Sequence, residues 1–355
     1  MEERISVVLA SGRKSSVYIA SNTSELSARL SSYGANVLWV MDEHTSQLLR
    51  PLPPIHVILE AGEPSKNWRN VEIILRTAVQ EGLARDAAFV GIGGGVLCDM
   101  TAFAASLFMR GCSLVLVPTT LLCMTDAALG GKTAIDYMGG KNLVGTFYPA
   151  RDILIFPELL KSLPEGEYVN GLAEMLKHAL LTEDESLYRT FLTKKKNILD
   201  RDPVLLRTLI GLSLDVKAAY ISRDPEEKNG IRQALNLGHT FGHALESLGG
   251  FRSWSHGAAV AWGIGRALEA GTMLGLTEPR FAAGAQKLLA MYGYDMDYRI
   301  GRGEWMQFRQ NILRDKKKED GHVHFILLEK QGIPIRRMVD EQMIQALVIS
   351  PPLKK

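Results

Sequence analysis

Seven short apolar runs separated by helical patterns fill the first 156 residues, and this alternation constrains the fold more than any other feature. The runs are SVVLA, SVYIA, NVLWVMD, HVILEAG, AAFVGIGGG, LVLVPTT and, at 152–156, DILIF. They are rich in Val, Ile and Leu and end at Gly, Asp or Pro, as strands do. Between them, WRNVEIILRTAVQEGL and VLCDMTAFAASLFMR carry helical spacing of apolar residues. Strands apolar on both faces and alternating with helices imply a mostly parallel sheet covered on both sides. From Pro157 onward the character changes. GEYVNGLAEMLKHALL, ESLYRTFLTKKKNIL, PVLLRTLIGLSLDVKAAYI, RQALNLGHTFGHALESL and AAVAWGIGRALEAGTML all read as helices, and only HVHFILLEK reads as a late strand or hairpin. The expectation is a Rossmann-like α/β domain over 1–156 and a mainly α-helical domain over 157–355, with an active site in the cleft between them.

Composition narrows the class. A chain of 355 residues exceeds what one core usually holds, which favours two domains. Forty-one basic residues against 39 acidic ones leave no electrostatic footprint for nucleic acid or a membrane surface. Three widely spaced cysteines, Cys98, Cys112 and Cys123, sit in apolar stretches and read as reduced, buried thiols. The opening MEERISVVLA is too acidic and its apolar run too short for a signal peptide, and no segment approaches a bilayer span. A cytoplasmic protein is expected. The run Lys194-Lys195-Lys196 reads as a solvated helix face.

Three clusters of residues carry chemistry. Gly91, Gly93, Gly94 and Gly95 follow an apolar strand and open a helix, where bare backbone and free N–H groups suit an anion such as a dinucleotide pyrophosphate. The spacing is not a strict G-x-G-x-x-G, so a tight packing turn is an equal reading. Asp42, at the end of another strand, suits either ribose hydroxyls or a turn cap. The second cluster is RQALNLGHTFGHALE, where Arg232, Asn236, His239 and His243 fall on one stripe if the segment is one helix. His256 precedes a further apolar helix, and Glu174 with Lys177 shares a face of a third. One carboxylate and two imidazoles compose a His₂Glu site for zinc or a similar divalent ion. His178 points away from that face and reads as structural. The third cluster is the long connection after Pro118, where Asp126, Lys132, Lys141 and Asn142 stand among glycines, a setting for phosphate or carboxylate.

These residues fall in blocks whose order and gaps resemble 3-dehydroquinate synthase, of the sugar-phosphate cyclase superfamily. The blocks are GEPSK (62–66), GGGVLCD (93–99), RG (110–111), PTTLL (118–122), GGKT (130–133), GKNLVGTFY (140–148), NGLAEMLK (170–177), GIRQALNLGHTFGHALE (230–246), HGAAV (256–260) and DKK (315–317). The resemblance implies that Glu174, His239 and His256 hold one divalent metal, zinc or cobalt. It assigns Asp42, Glu63, Lys66, Gly94, Gly95, Asp99, Thr119, Thr120 and Ser162, with Lys132 and Lys141, to the surroundings of NAD. Substrate contacts fall to Asp126, Lys132, Lys141, Asn142, Lys177, Lys217, Arg232, Asn236, His243 and one of Lys316 or Lys317. Arg110 resembles an arginine that reaches a neighbouring subunit's phosphate site, which implies a homodimer. The implied substrate is 3-deoxy-D-arabino-heptulosonate 7-phosphate, cyclised to 3-dehydroquinate with loss of phosphate, in the shikimate pathway to aromatic amino acids.

Three positions depart from the family pattern. Ala258 stands where HGEAV has a carboxylate, Asp136 where Asn is usual, and Gly166 where Arg is common. Loss of a carboxylate at 258 would weaken the metal site if that group supported a ligand. The competing readings are a sister cyclase with another sugar phosphate, an NAD- and metal-dependent polyol dehydrogenase, and a non-catalytic paralogue.

Overall fold

The computed structural model describes residues 1–9, 12–250, 253–314, 318–319 and 322–349. The described chain divides into two compact units, 1–168 with 201–226, and 169–200 with 227–355.

The first unit contains strands β1 (Glu3–Val8), β2 (Lys14–Ile19), β3 (Val37–Asp42), β4 (His56–Leu59), β5 (Ala88–Gly93), β6 (Ser113–Pro118), β7 (Lys132–Tyr137), β8 (Gly140–Phe147) and β9 (Asp152–Ile155). Seven of them form one sheet in the order β1-β2-β9-β6-β5-β3-β4. Every pairing in it is parallel except β1 with β2. All seven apolar runs therefore lie in this sheet. Val37, Met41, Val90, Ile92, Val115, Val117 and Leu154 pack into one core cluster, which is why these strands carry apolar side chains almost without interruption. Helices α1 (Thr23–Ser31), α2 (Trp68–Gln80) and α3 (Gly95–Leu107) connect strands of this sheet. Asn22 and Asn67 start the first two by accepting from the N–H groups of Glu25 and Asn70.

The connection after Pro118 is more structured than a loop. It makes a π-helical turn over Cys123–Ala127 and then the antiparallel hairpin β7–β8. Met138 and Gly139, both at positive φ, form its two-residue turn, the geometry that matches strand twist.

Helix α4 (Glu165–Leu180) runs from the first unit into the second, followed there by α5 (Glu185–Thr193) and α6 (Lys195–Leu199). The segment read as one helix, ESLYRTFLTKKKNIL, is thus two, broken at Lys194 where φ −118° and ψ 24° leave the helical region. Lys196 is highly exposed, as the solvated-face reading expects. Helix α7 (Pro203–Arg223) belongs to the first unit, where it packs on β1 and the π-helical turn.

The remainder of the second unit is α8 (His239–Leu248), α9 (His256–Met273), α10 (Pro279–Met291), α11 (Trp305–Arg314), β10 (Lys318–Glu319), β11 (His322–Leu328), β12 (Pro334–Met338) and α12 (Glu341–Val348). The late strand is the centre of a three-stranded antiparallel sheet, β10-β11-β12. No helix among the described residues is long and apolar enough to cross a membrane. All three cysteines are buried and free.

Candidate metal centre and anion-binding groups

The continuous stripe expected from Arg232 to His243 is broken. Residues 232–236 form a 3-10 turn, and Gly238, at φ 79°, restarts the chain as α8 with His239 its first residue. The break has a packing cause. A Cβ on Gly238 would stand 2.6 Å from the Val260 carbonyl oxygen, and one on Gly242 would stand 2.9 Å from that of Ala259. Bare backbone on α8 lets α9 approach to backbone contact, and Gly257 does the same for α4, where a Cβ would run into the Asn170 carbonyl. The Asn170 side chain accepts the Gly257 N–H at the same point. Three helices thus converge where α4 carries Glu174, α8 carries His239 and α9 carries His256.

Glu174 is fully buried, and neither of its oxygens makes a hydrogen bond of ordinary geometry. Its Oε1 lies 3.5 Å from Nε2 of His239 and 3.5 Å from Nε2 of His256. Donor atoms about 2.1 Å from a shared tetrahedral ion stand roughly 3.4 Å apart, so this spacing fits one small divalent cation. The three ligand atoms all lie within 4.8 Å of one another. Behind the histidines, Nδ1 of His239 is 3.2 Å from the Leu237 carbonyl oxygen and Nδ1 of His256 is 3.3 Å from Oε2 of Glu246. With Nδ1 as the donor to that backing, Nε2 of each ring would be the atom left to face an ion beside Glu174. The buried Lys177 ammonium touches Oε2 of Glu174.

Burial alone would raise the Glu174 carboxyl, but Lys177 and the two imidazoles hold it well below the usual carboxylate range. Burial and the Lys177 charge push His239 down, keeping it neutral and able to ligate. Burial opposes protonation of His256 too, yet Glu174 and Glu246 together raise it to about 10. Where two carboxylates flank an imidazole, a positive charge is favoured there, and a bound cation meets the same demand. The His243 ring lies 5.2 Å from that of His239 and 6.1 Å from that of His256. Arg232 is buried in the 3-10 turn, and Asn236 donates to Glu227 at 2.9 Å.

In the first unit, β5 ends at Gly93, Gly94 caps the next helix and α3 begins at Gly95. A Cβ on Gly94 would stand 3.1 Å from Thr120 Cγ2, so the loop is also tightly packed. Thr119 donates its N–H to the Gly93 carbonyl, and Thr120 Oγ1 accepts from Cys123. Lys66, almost fully buried, donates to Asp99 at 2.6 Å and to Asn142 at 2.5 Å. Burial pushes the Asp99 carboxyl up, with Lys66 opposing. Lys141 pairs with Glu63 at 3.3 Å, and Lys217 on α7 holds both the backbone carbonyl and, at 2.6 Å, the carboxylate of Asp126. Lys132 is exposed on β7. Asp42 accepts from the N–H groups of His44 and Thr45, the turn-cap arrangement. Ser162 closes its own 3-10 turn by donating to the Leu159 carbonyl. Arg110 is exposed in a turn of positive φ. Lys316 and Lys317 lie outside the described residues.

The three departures have local explanations. Asp136 accepts the Asn142 N–H at 2.9 Å through one oxygen, which an asparagine would supply equally. Gly166 is exposed, and a Cβ there would meet nothing within 4 Å. Ala258 lies in the first turn of α9, while the carboxylate beside His256 comes from Glu246 on α8. Sequence reasoning left out Glu246, Asn170 and the contact glycines. Glu246 is seven residues after His239 on one helix, a spacing that would have flagged it.

Residues 56–170 match the sequence profile of the 3-dehydroquinate synthase N-terminal domain, and residues 171–318 that of its C-terminal domain. A 3-dehydroquinate synthase of Francisella tularensis subsp. holarctica is 35% identical over 295 residues, covering 82% of this chain and 81% of that one. Among solved structures, 2-deoxy-scyllo-inosose synthase complexed with carbaglucose-6-phosphate, NAD+ and Co2+ shares the fold at a TM-score of 0.84 and 24% identity, over 97% of this chain and 98% of that chain. The 2-epi-5-epi-valiolone synthase of Streptomyces hygroscopicus subsp. jinggangensis 5008, with NAD+ and Zn2+ bound, does so at 0.81 and 24%, over 93% and 94%. With both profiles matched in sequence and a relative this similar across most of both chains, the protein belongs to the 3-dehydroquinate synthase family.

Proposed function

We propose that this enzyme converts 3-deoxy-D-arabino-heptulosonate 7-phosphate to 3-dehydroquinate and phosphate, with NAD and one divalent ion, zinc or cobalt, held by Glu174, His239 and His256. The observation that carries the reading is Glu174, wholly buried, without ordinary hydrogen bonds and facing two Nε2 atoms at 3.5 Å. A bound ion held by these three residues would supply Lewis acidity toward a substrate hydroxyl, and NAD a reversible hydride acceptor, so no net NADH is expected.

The chain's own residues supply charge placement and proton handling. Lys177 keeps Glu174 ionised as a ligand. His243, beside His239, is positioned to pass a proton between substrate and solvent. The Arg232 guanidinium, with its planar fork of donors, suits the substrate carboxylate, with Asn236 in the same turn for a hydroxyl. In the first unit Lys217 orients Asp126, a second candidate for proton relay. Lys66, Lys132, Lys141 and Asn142, with Glu63, Asp99, Thr119, Thr120 and the Gly94–Gly95 turn, suit the phosphates and hydroxyls of NAD and of the sugar phosphate. Asp42 and Ser162 belong to the same proposal, each now engaged in closing its own turn. Arg110 acting across a homodimer belongs to the same proposal.

The test is a coupled assay of metal-loaded protein with the heptulosonate phosphate and catalytic NAD. Equal amounts of phosphate and dehydroquinate without net NADH are expected. Net NADH from a neutral polyol, with no phosphate released, would instead make the chain a dehydrogenase. No turnover despite bound NAD and metal would reject the activity.

A further inference from the structure

The two ligand imidazoles are backed differently. His239 is supported by a neutral backbone carbonyl, that of Leu237, whereas His256 is supported by the carboxylate of Glu246. Glu246 is buried, with a side chain only 8% exposed. It follows His239 by seven residues and His243 by three, so one face of α8 presents all three groups to the same place. His256 begins α9, and the first turn of that helix has Ala258 where family members carry a carboxylate, its N–H taken by Ser255 Oγ. A ligand histidine with no partner for its second nitrogen can flip or adopt the wrong tautomer.

We propose that Glu246 is the positioning residue of the metal centre: it accepts the Nδ1–H of His256, fixes Nε2 as the ligand atom, and raises its donor strength. The anchor thereby comes from the helix that carries His239 rather than from the first turn of α9. The inference rests on the metal reading above.

Zinc affinity, measured by chelator competition on the full chain, tests both and separates them. Glu246→Gln keeps the shape but removes the charge, and it should weaken zinc binding about 10- to 100-fold. The far-UV circular dichroism spectrum of the metal-free protein should match that of the unaltered chain, showing that the fold is kept. Glu174→Ala should abolish stoichiometric binding. Binding by Glu246→Gln within twofold of the unaltered chain, with Glu174→Ala still defective, would overturn the role of Glu246 alone. Equal binding by the unaltered chain and Glu174→Ala would overturn the metal reading itself. Should Glu246→Gln not fold, zinc-loaded chain labelled with ¹⁵N-histidine supplies the measurement. The Nδ1–H of His256, assigned by His256→Gln, should be protected and far downfield; a solvent-exchanging Nδ1–H would overturn the proposal.

Discussion

Among the described residues both units bury lysine–carboxylate pairs, but only the second adds two imidazoles facing the same carboxylate. In the second, Glu174 is buried, with Lys177 on Oε2 and two imidazoles facing Oε1 at 3.5 Å, neither at hydrogen-bond distance. In the first, Lys66, Lys141 and Lys217 each already sit on an acid, namely Asp99, Glu63 and Asp126. A cation entering the second unit completes coordination that the chain leaves incomplete. An anion reaching those lysines must compete with a carboxylate of the chain. If the proposed roles hold, the metal site is preorganised and the lysines bind anions by exchange of partners, so the two should fail differently when one member is removed.

The largest effect is expected at Glu174. Glu174→Ala removes the only carboxylate among the three proposed ligands, and a Lewis acid worth several kcal/mol translates to on the order of 10³-fold in kcat. Steady-state turnover and metal content measured together check it. Retention of both would break the contrast.

Lys66→Ala probes the other unit. It strands Asp99, whose side chain is mostly buried, and should cost about 2–4 kcal/mol in denaturant unfolding while leaving zinc affinity unchanged. The double change with Asp99→Asn should recover part of that loss, because the uncompensated charge is gone. A cost no smaller than that of Lys66→Ala alone would show that the pair's charge is not what matters.

Gly257→Ala sharpens the comparison from the packing side. The added methyl meets the Asn170 carbonyl, so α4 and α9 must separate, at about 1–3 kcal/mol and with weaker zinc binding. Loss of stability without loss of zinc affinity would mean the contact supports the fold but not the site.

What was legible in the sequence follows the same division. The central strands β5, β6 and β9 were readable because burial on both faces demands unbroken apolar runs, and the edge strands β1 and β4 because Val and Ile dominate them. The hairpin β7–β8 was missed, since its turn uses Met138 at positive φ and its strands carry exposed Tyr137, Leu143 and Phe147. Glu174, His239 and His256 could be nominated by residue type and spacing. The helix drawn through Arg232 to His243 was wrong because Gly238 looks like a tolerated interior glycine until α9 is seen lying against it. Helical spacing puts Glu246 on the face of His239, but its pairing with His256 joins residues ten apart on two helices and shows only in the fold.

The smallest effect is expected at Asp136. Asp136→Asn keeps the acceptor for the Asn142 N–H and should shift stability by less than about 0.5 kcal/mol, read as the denaturant midpoint. A large change would mean that the charge at 136, rather than its hydrogen bond, holds the hairpin.

Zinc titration of the metal-free protein, followed by turnover of the heptulosonate phosphate, bears most directly on the metal centre. Activity should rise linearly and stop at one ion per chain, and Glu174→Ala should show no such rise. Full turnover of the metal-free chain in the presence of chelator would contradict the assignment of Glu174, His239 and His256 as the catalytic metal site.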